Sequence, residues 1–422
     1  GGGACGGTSI GIPSVSLLRK NFVGDQRTVR CSGSSGARVI RILQVSRSII
    51  DGGFDYHAEI ARAFAERGAS VLTVFQRGQL DPERTAAFPG GVVCLDARRR
   101  RRYKNKPFFS WALWRLQGRD PADLAICHHL TPAQATDPLL RFGRVRRARM
   151  VVHDYDYFDP ADDKGRKRGR FLSSAIRRGW SVIGVSNAIC RNIQSQVTAF
   201  PAGCCRVIPN AIDLSALRDR ACDRSMARQI LGLEDAPFMF GTVGRLVSFK
   251  AQNELISAFA SVAPQMPDAG LIVIGRGPLQ SDLQRQVRRL DLDGRVIVHG
   301  FADDAARLLR ALDVFVLPSH DEPFGLVVLE AMACGVPVLA SDSGGPAEIL
   351  TRSDQLFPTG DVNAMAQHML SIYRASKSER ASLAEAGYRR ARDGFDLSGY
   401  RAAYASLLEH GDDSPNSVAR PP

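Results

Sequence analysis

Residues 314–348 read VFVLPSHDEPFGLVVLEAMACGVPVLASDSGGPAE, and this stretch decides the fold. Val314 to Pro318 is a short apolar run of the kind a fully buried parallel strand makes. Ser319 to Glu322 is polar and reads as a loop. Pro323 and Gly325 bracket a helix start; the helix passes through Leu329, Glu330 and Met332 to Gly335, a natural residue just past a helix end, and Pro337 prevents continuation. Val336 to Ser341 is a second buried strand. Strand, loop, helix and strand together predict one right-handed parallel crossover.

In such a unit ligands sit where strands end and helices begin, because backbone N–H groups and the positive end of the helix dipole face that crevice. Glu322 on the loop and Glu330 about two turns on flank this place. As carboxylates they can accept hydrogen bonds from the ribose and hexose hydroxyls of a nucleotide sugar. Spacing alone also allows Glu322 to be a first-turn charge and Glu330 the partner of a nearby Arg.

Glu322 and Glu330, set within EPFGLVVLEAMACGVPV and followed by SGGPAEI, resemble the signature of the retaining glycosyltransferases of family 4, the group 1 type, with the two-domain GT-B fold. The resemblance implies that Glu322 contacts the donor sugar and Glu330 the ribose. It also implies an α/β protein with two doubly wound, Rossmann-like parallel-sheet domains facing a cleft.

The chain has 422 residues, too many for one core and suited to two domains. Its 44% apolar and 23% charged content is ordinary for a globular protein. No apolar run nears the roughly 18 residues of a membrane span, and the N-terminal stretch lacks the apolar core of a secretory signal. The nine Cys show no CxxC pair; they read as reduced thiols of a cytoplasmic protein, not as a zinc site or disulfide framework. The net charge of +13 is uneven: residues 1–210 carry 34 basic against 16 acidic side chains, net +18, and the remainder 22 against 27, net −5. The first half therefore suits an acidic partner: anionic lipid, a phosphorylated acceptor or nucleic acid.

Taken in order, residues 1–37 read as a disordered leader and residues 38–210 as an N-terminal, acceptor-side domain. Residues 211–394 read as the C-terminal donor domain, 395–410 as a helix returning to the first domain, and 411–422 as a disordered tail. Val39 to Val45 is the first strand, followed by a loop with Gly52 and Gly53, a helix from about Tyr56 to Arg67, and a strand at Val71 to Phe75. The resemblance implies that the glycine pair lets the backbone approach the donor phosphates; the residues alone also fit a plain tight turn. No GxGxxG follows the strand, so this is not a dinucleotide fingerprint.

Seven of the nine residues from Arg98 to Lys106 are basic, and Arg141 to Arg149 and Lys164 to Arg170 are also dense in Arg and Lys. Phe108, Phe109, Trp111 and Trp114 follow the first cluster. Such loops either lie on an anionic bilayer or are simply solvated. Nucleic acid is disfavoured, since no reading module accompanies the charge.

Strands at Leu124 to Ile126 and Met150 to Val152 lead to His128, His129 and His153. The resemblance favours His153 as the imidazole near the donor hexose. Arg206 to Asp213, RVIPNAID, resembles the family's link between domains, with Ala211 where Gly is usual. After the strand Phe238 to Val243, Arg245 and Lys250 stand on a strand-to-helix loop and could neutralise a diphosphate. Val296 to Val298 leads to HGF, whose loop after His299 would form a wall for the base.

The resemblance thus implies a catalytic set of His153, Glu322, Arg245 and Lys250. The donor-binding set is Gly52, Gly53, Arg245, Lys250, Glu322, Phe324, Gly325 and Glu330. No metal or other cofactor is expected, because no DxD-type pair sits where one would be needed. The expected partners are a nucleotide-sugar donor, a glycan or lipid-linked acceptor, and an anionic membrane surface if the basic loops are not merely solvated. The competing readings are a nucleotide-sugar epimerase on the same fold and a non-catalytic membrane- or polymer-binding protein; the intact Glu322, Glu330, Arg245 and Lys250 count against the latter.

Overall fold

The computed structural model describes residues 22–23, 39–48, 54–78, 85–86, 88–95, 106–117, 120–152, 163–197, 200–201, 203–233, 238–302 and 304–409. Gly52, Gly53, His153, the basic run 98–105 and the tail after residue 409 lie outside the described residues.

The first sheet has eight strands in the order β1-β4-β3-β2-β5-β6-β7-β8. They are β1 Phe22–Val23, β2 Arg41–Ser48, β3 Ser70–Arg77, β4 Gly91–Cys94, β5 Ala122–His128, β6 Val145–Val152, β7 Trp180–Gly184 and β8 Cys205–Val207. Between them run helices α1 Phe54–Ala65, α2 Lys106–Gln117, α3 Leu130–Arg141, α4 Asp163–Ile176 and α5 Asn187–Gln196. The described pairings are parallel except at one edge, where Phe22 and Val23, inside the stretch read as leader, pair antiparallel with Val93 and Val92. The strands outrun their apolar runs. β2 continues through Gln44 and Ser46, both buried, and β5 through His128, because the hydrogen-bond ladder needs backbone groups and not apolar side chains.

The second sheet has the order β11-β10-β9-β12-β13-β14 and is parallel throughout. After α6 Leu214–Arg220 and α7 Arg224–Leu231 come β9 Phe238–Val243, α8 Gln252–Val262, β10 Ala269–Ile274, α9 Gln280–Arg289 and β11 Val296–Gly300. There follow β12 Val314–Leu317, α10 Leu326–Ala333, β13 Val338–Ser341, α11 Pro346–Ile349 and β14 Leu356–Phe357. The chain closes with α12 Val362–Arg374, α13 Lys377–Gly394 and α14 Leu397–Ala405. Every residue of β12 and β13 is buried, as expected of continuous apolar runs covered on both faces. Phe240, Leu255, Phe259, Met266, Leu271, Val316 and Met369 lie in one core.

The described residues fall into two compact units: Gly1–Val151 with Ala175–Ser181 and Tyr404–Glu409, and Val152–Ser174 with Val182–Ala403. Within the first, Glu409 pairs with Arg67, and Arg147 Nη1 lies 3.5 Å from the Leu407 carbonyl.

The departure at Ala211 raises no conflict, whereas the reading of the cysteines as reduced thiols needs correction. Ala211 departs from the usual Gly without strain, since the only described non-glycine residues at positive φ are His129, Ala251, Asp291 and Asp304. The cysteines are not all free: Cys190 on α5 and Cys205 at the start of β8 form a disulfide with Cα atoms 6.0 Å apart. Cys204 is left as a thiol, because its neighbour and not Cys204 faces the helix. Burial pushes the Cys127 thiol up to about 12 and the Cys334 thiol to about 11, so neither is ionised at neutral pH.

Candidate functional site

In the second sheet the chain runs from β9 to β10 and β11 on one side and restarts at β12 on the other. The crevice beyond the carboxyl ends of β9 and β12 is therefore a topological switch point, where doubly wound sheets bind ligands. The two loops that leave it carry the residues singled out from the sequence. After β9, Gly244 leads to Arg245, a turn at Ser248–Lys250, and Ala251 at φ 51 before α8. After β12 the loop carries Ser319 and Glu322 and ends at Gly325, the residue before α10, whose φ of 97 suits glycine.

The loops hold each other. His320 N donates to the Phe249 carbonyl at 2.8 Å, and His320 Nε2 lies 2.9 Å from Glu254 Oε2. Glu322 is 7% exposed. Its Oε2 is in ion-pair contact with Lys250 Nζ and accepts from Ser319 Oγ at 3.1 Å. A buried carboxylate and a half-buried ammonium offset each other's loss of water only while both are present. Arg245 is exposed, with its guanidinium 5.7 Å from the Phe249 ring centre and its carbonyl accepting from Gln252 Nε2 at 2.9 Å. Arg245, Lys250 and Glu322 thus stand on adjoining loops with one cation exposed and one already neutralised.

Phe324 turns its ring away from the loop surface. It is 4% exposed and meets Phe395 edge to face at 5.9 Å, so only its backbone is available to a ligand. Gly345, from the SGGPAE stretch, donates its N–H to the Glu322 carbonyl at 3.0 Å. Glu348 of the same stretch, for which no role was legible in the sequence, accepts from Asn187 N at 2.8 Å and Ala188 N at 2.7 Å. It thereby satisfies two of the orphan donors at the start of α5, in the same compact unit.

Glu330 lies in the second turn of α10. Burial pushes its carboxyl up to about 7; the Arg220 cation draws it back and the Asp304 carboxylate raises it further. Arg220 and Asp304 themselves pair at 3.7 Å. The native state therefore keeps a proton on Glu330 that the unfolded chain releases above about pH 4.5. Native stability should fall as pH rises from about 4.5 to about 7 on this account and then level off. Glu330→Gln removes the titration, so its melting temperature should match the wild type near pH 4 and exceed it at pH 8. A difference that is the same at both pH values would show that Glu330 is not protonated in the fold.

In the first sheet the switch point lies between β2 and β5. His128 is inside β5, not past it; its Nε2 is 3.2 Å from Gln44 Nε2 and its ring centre 4.1 Å from that of His57. His129, at φ 71, is the residue that turns out of the strand. Among the described residues no group of three His, Cys, Asp or Glu side chains could hold a metal. No described helix is long and apolar enough to cross a membrane.

Residues 223–390 match the family described as Glycosyl transferases group 1, and residues 50–216 match Glycosyltransferase Family 4. The lipopolysaccharide core biosynthesis mannosyltransferase LpsB of Rhizobium meliloti (strain 1021) is 30% identical over 215 residues, 48% of this chain and 61% of that protein. N-acetyl-alpha-D-glucosaminyl L-malate synthase of Bacillus anthracis is 27% identical over 246 residues, 56% of this chain and 63% of that one. The chain thus spans less than two thirds of the length of these relatives. The crystal structure of Anabaena Alr3699/HepE in complex with UDP superposes with a TM-score of 0.73 at 23% identity, over 88% of this chain and all of that one. That likeness bears on the fold alone.

Proposed function

The chain belongs to the group 1 glycosyl transferases of family 4, and from that premise we propose that it moves a hexose from a nucleoside diphosphate sugar to a glycan or lipid-linked acceptor, with retention of anomeric configuration. The observation that carries this reading is the trio Arg245, Lys250 and Glu322 on the two loops of the second sheet's switch point. Breaking the bond between the sugar C1 and the diphosphate oxygen leaves the electron pair on that oxygen. The acceptor hydroxyl takes C1, and its proton offsets the charge left on the diphosphate. Arg245 and Lys250 would hold that charge, Arg as a planar fork and Lys as a point charge. Glu322 would exchange its contact with Lys250 for a hexose hydroxyl, Glu330 would receive the ribose, and Gly52, Gly53 and the Gly325 backbone would approach the donor. His153 would position the hexose. We place the reaction in the cytoplasm, beside the inner face of a membrane.

The test is thermal stabilisation by UDP, GDP and a panel of their hexose derivatives. A ligand at one hundred times its Kd adds about 2.7 kcal/mol, so one base should raise the melting temperature clearly and the other should not. The matched sugar nucleotide is then incubated with candidate glycan and lipid-linked acceptors in EDTA, and the products are read by NMR. Release of an α-configured glycoside from an α-configured donor is the expected result. An epimerised nucleotide sugar without acceptor would favour the epimerase, and no response to any nucleotide would remove the proposal.

A further inference from the structure

Helix α2, Lys106–Gln117, reads KPFFSWALWRLQ and contains no acidic residue. Phe109, Ala112, Leu113 and Gln117 are buried and form its inner face. At 100° per residue the opposite side carries Phe108, Trp111, Trp114 and Arg115. A helix that only covers a core is polar on its far side; this one is aromatic there.

The aromatic face continues onto the next helix end. Trp114 is 39% exposed and Phe142, at the end of α3, is 70% exposed, with ring centres 6.0 Å apart and edge to face. Phe108 and Trp111 meet at 5.4 Å. Guanidinium groups lie over these rings, Arg144 at 5.0 Å from the Trp114 centre and Arg115 at 5.9 Å from that of Trp111. The neighbouring carboxylates are already engaged: Asp120 by Arg41, Asp123 by Arg41 N and Arg146, and Asp137 by Arg141, Arg178 and Trp180.

We propose that this face of the first unit docks on the headgroup region of an anionic lipid bilayer. Phe142 has no polar atom and gains only by leaving water, which the acyl boundary allows. Trp side chains settle at the headgroup level, and Arg stems cover apolar surface while their charges reach lipid phosphates. No nucleic-acid-reading module accompanies the charge. The proposal does not depend on the donor site, which the nucleotide melting assay reports separately.

The chain has three Trp residues. Two lie on this face, while Trp180 is 2% exposed and bound to Asp137. Intrinsic fluorescence of the full chain therefore reports the face. With phosphatidylglycerol-containing vesicles at low salt, the emission should shift to the blue and be quenched by brominated acyl chains. Added salt should weaken binding. Phe142→Ser and Trp114→Ser should each lower vesicle partitioning about tenfold or more, and Arg115→Glu should lower it in the same direction, with melting temperature and nucleotide response unchanged. Absence of binding at low salt, equal binding to phosphatidylcholine alone, or unaltered binding by Phe142→Ser would overturn the proposal. A dimer that Phe142→Ser abolishes, with no vesicle binding, would assign the face to a second copy of the chain and overturn it too.

Discussion

Lys250→Ala should lower turnover about 10²- to 10³-fold, the usual cost of removing one electrostatic contact to a leaving group, and it should also destabilise the second unit. Glu322 is almost wholly buried and has Lys250 as its cation. Removing one partner of such a pair leaves an uncompensated charge, at a cost of about 3–5 kcal/mol when burial is complete. Adding Glu322→Gln to Lys250→Ala should therefore restore most of the stability and none of the activity. Arg245→Ala should behave differently. Its guanidinium is exposed over Phe249, so turnover should fall while the urea midpoint stays. Urea unfolding and single-turnover kinetics on the three variants separate these outcomes. A Lys250→Ala protein that keeps wild-type turnover would end the proposed role of Lys250 at the diphosphate.

Gly345→Ala should be severely damaging to the second unit. A Cβ there would lie 2.2 Å from Phe324 Cα and 2.4 Å from its carbonyl oxygen. Both are backbone atoms, so no rotamer change relieves the clash. The backbone at Gly345 is ordinary, φ −60, and the obstacle is purely one of space. The loop carrying Glu322 would have to move, breaking the hydrogen bond from Gly345 N to the Glu322 carbonyl. Overpacking costs about 1–3 kcal/mol where side chains can yield and more where they cannot; a loss of about 3 kcal/mol or more and of all nucleotide stabilisation is expected. Gly399→Ala is the control, since nothing lies within 4 Å of its added Cβ inside α14, and it should be neutral or stabilising by up to about 1 kcal/mol. Equal melting temperatures for the two variants would show that the SGGPAE loop does not fix the Glu322 loop.

The sequence by itself marked strands β9, β11, β12 and β13 of the second sheet and the loops on which Arg245, Lys250 and Glu322 stand. Phe238–Val243 is a strand with the bounds that its apolar run implies, and the helix after Pro323 begins and ends beside the glycines that flank it. Those features are local: strand burial, positive φ and helix ends depend on neighbouring residues. Four matters were decided only by tertiary structure. Lys250 and Glu322, 72 positions apart, become partners because β9 and β12 are neighbours, which no spacing reveals. Cys190 finds Cys205 because α5 packs beside β8. The Glu330 carboxyl is pushed up to about 7 by burial in the packed fold around α10. The outward aromatic face of α2 exists because a helix apolar all round carries no sign of which side meets the sheet, and only packing chooses it.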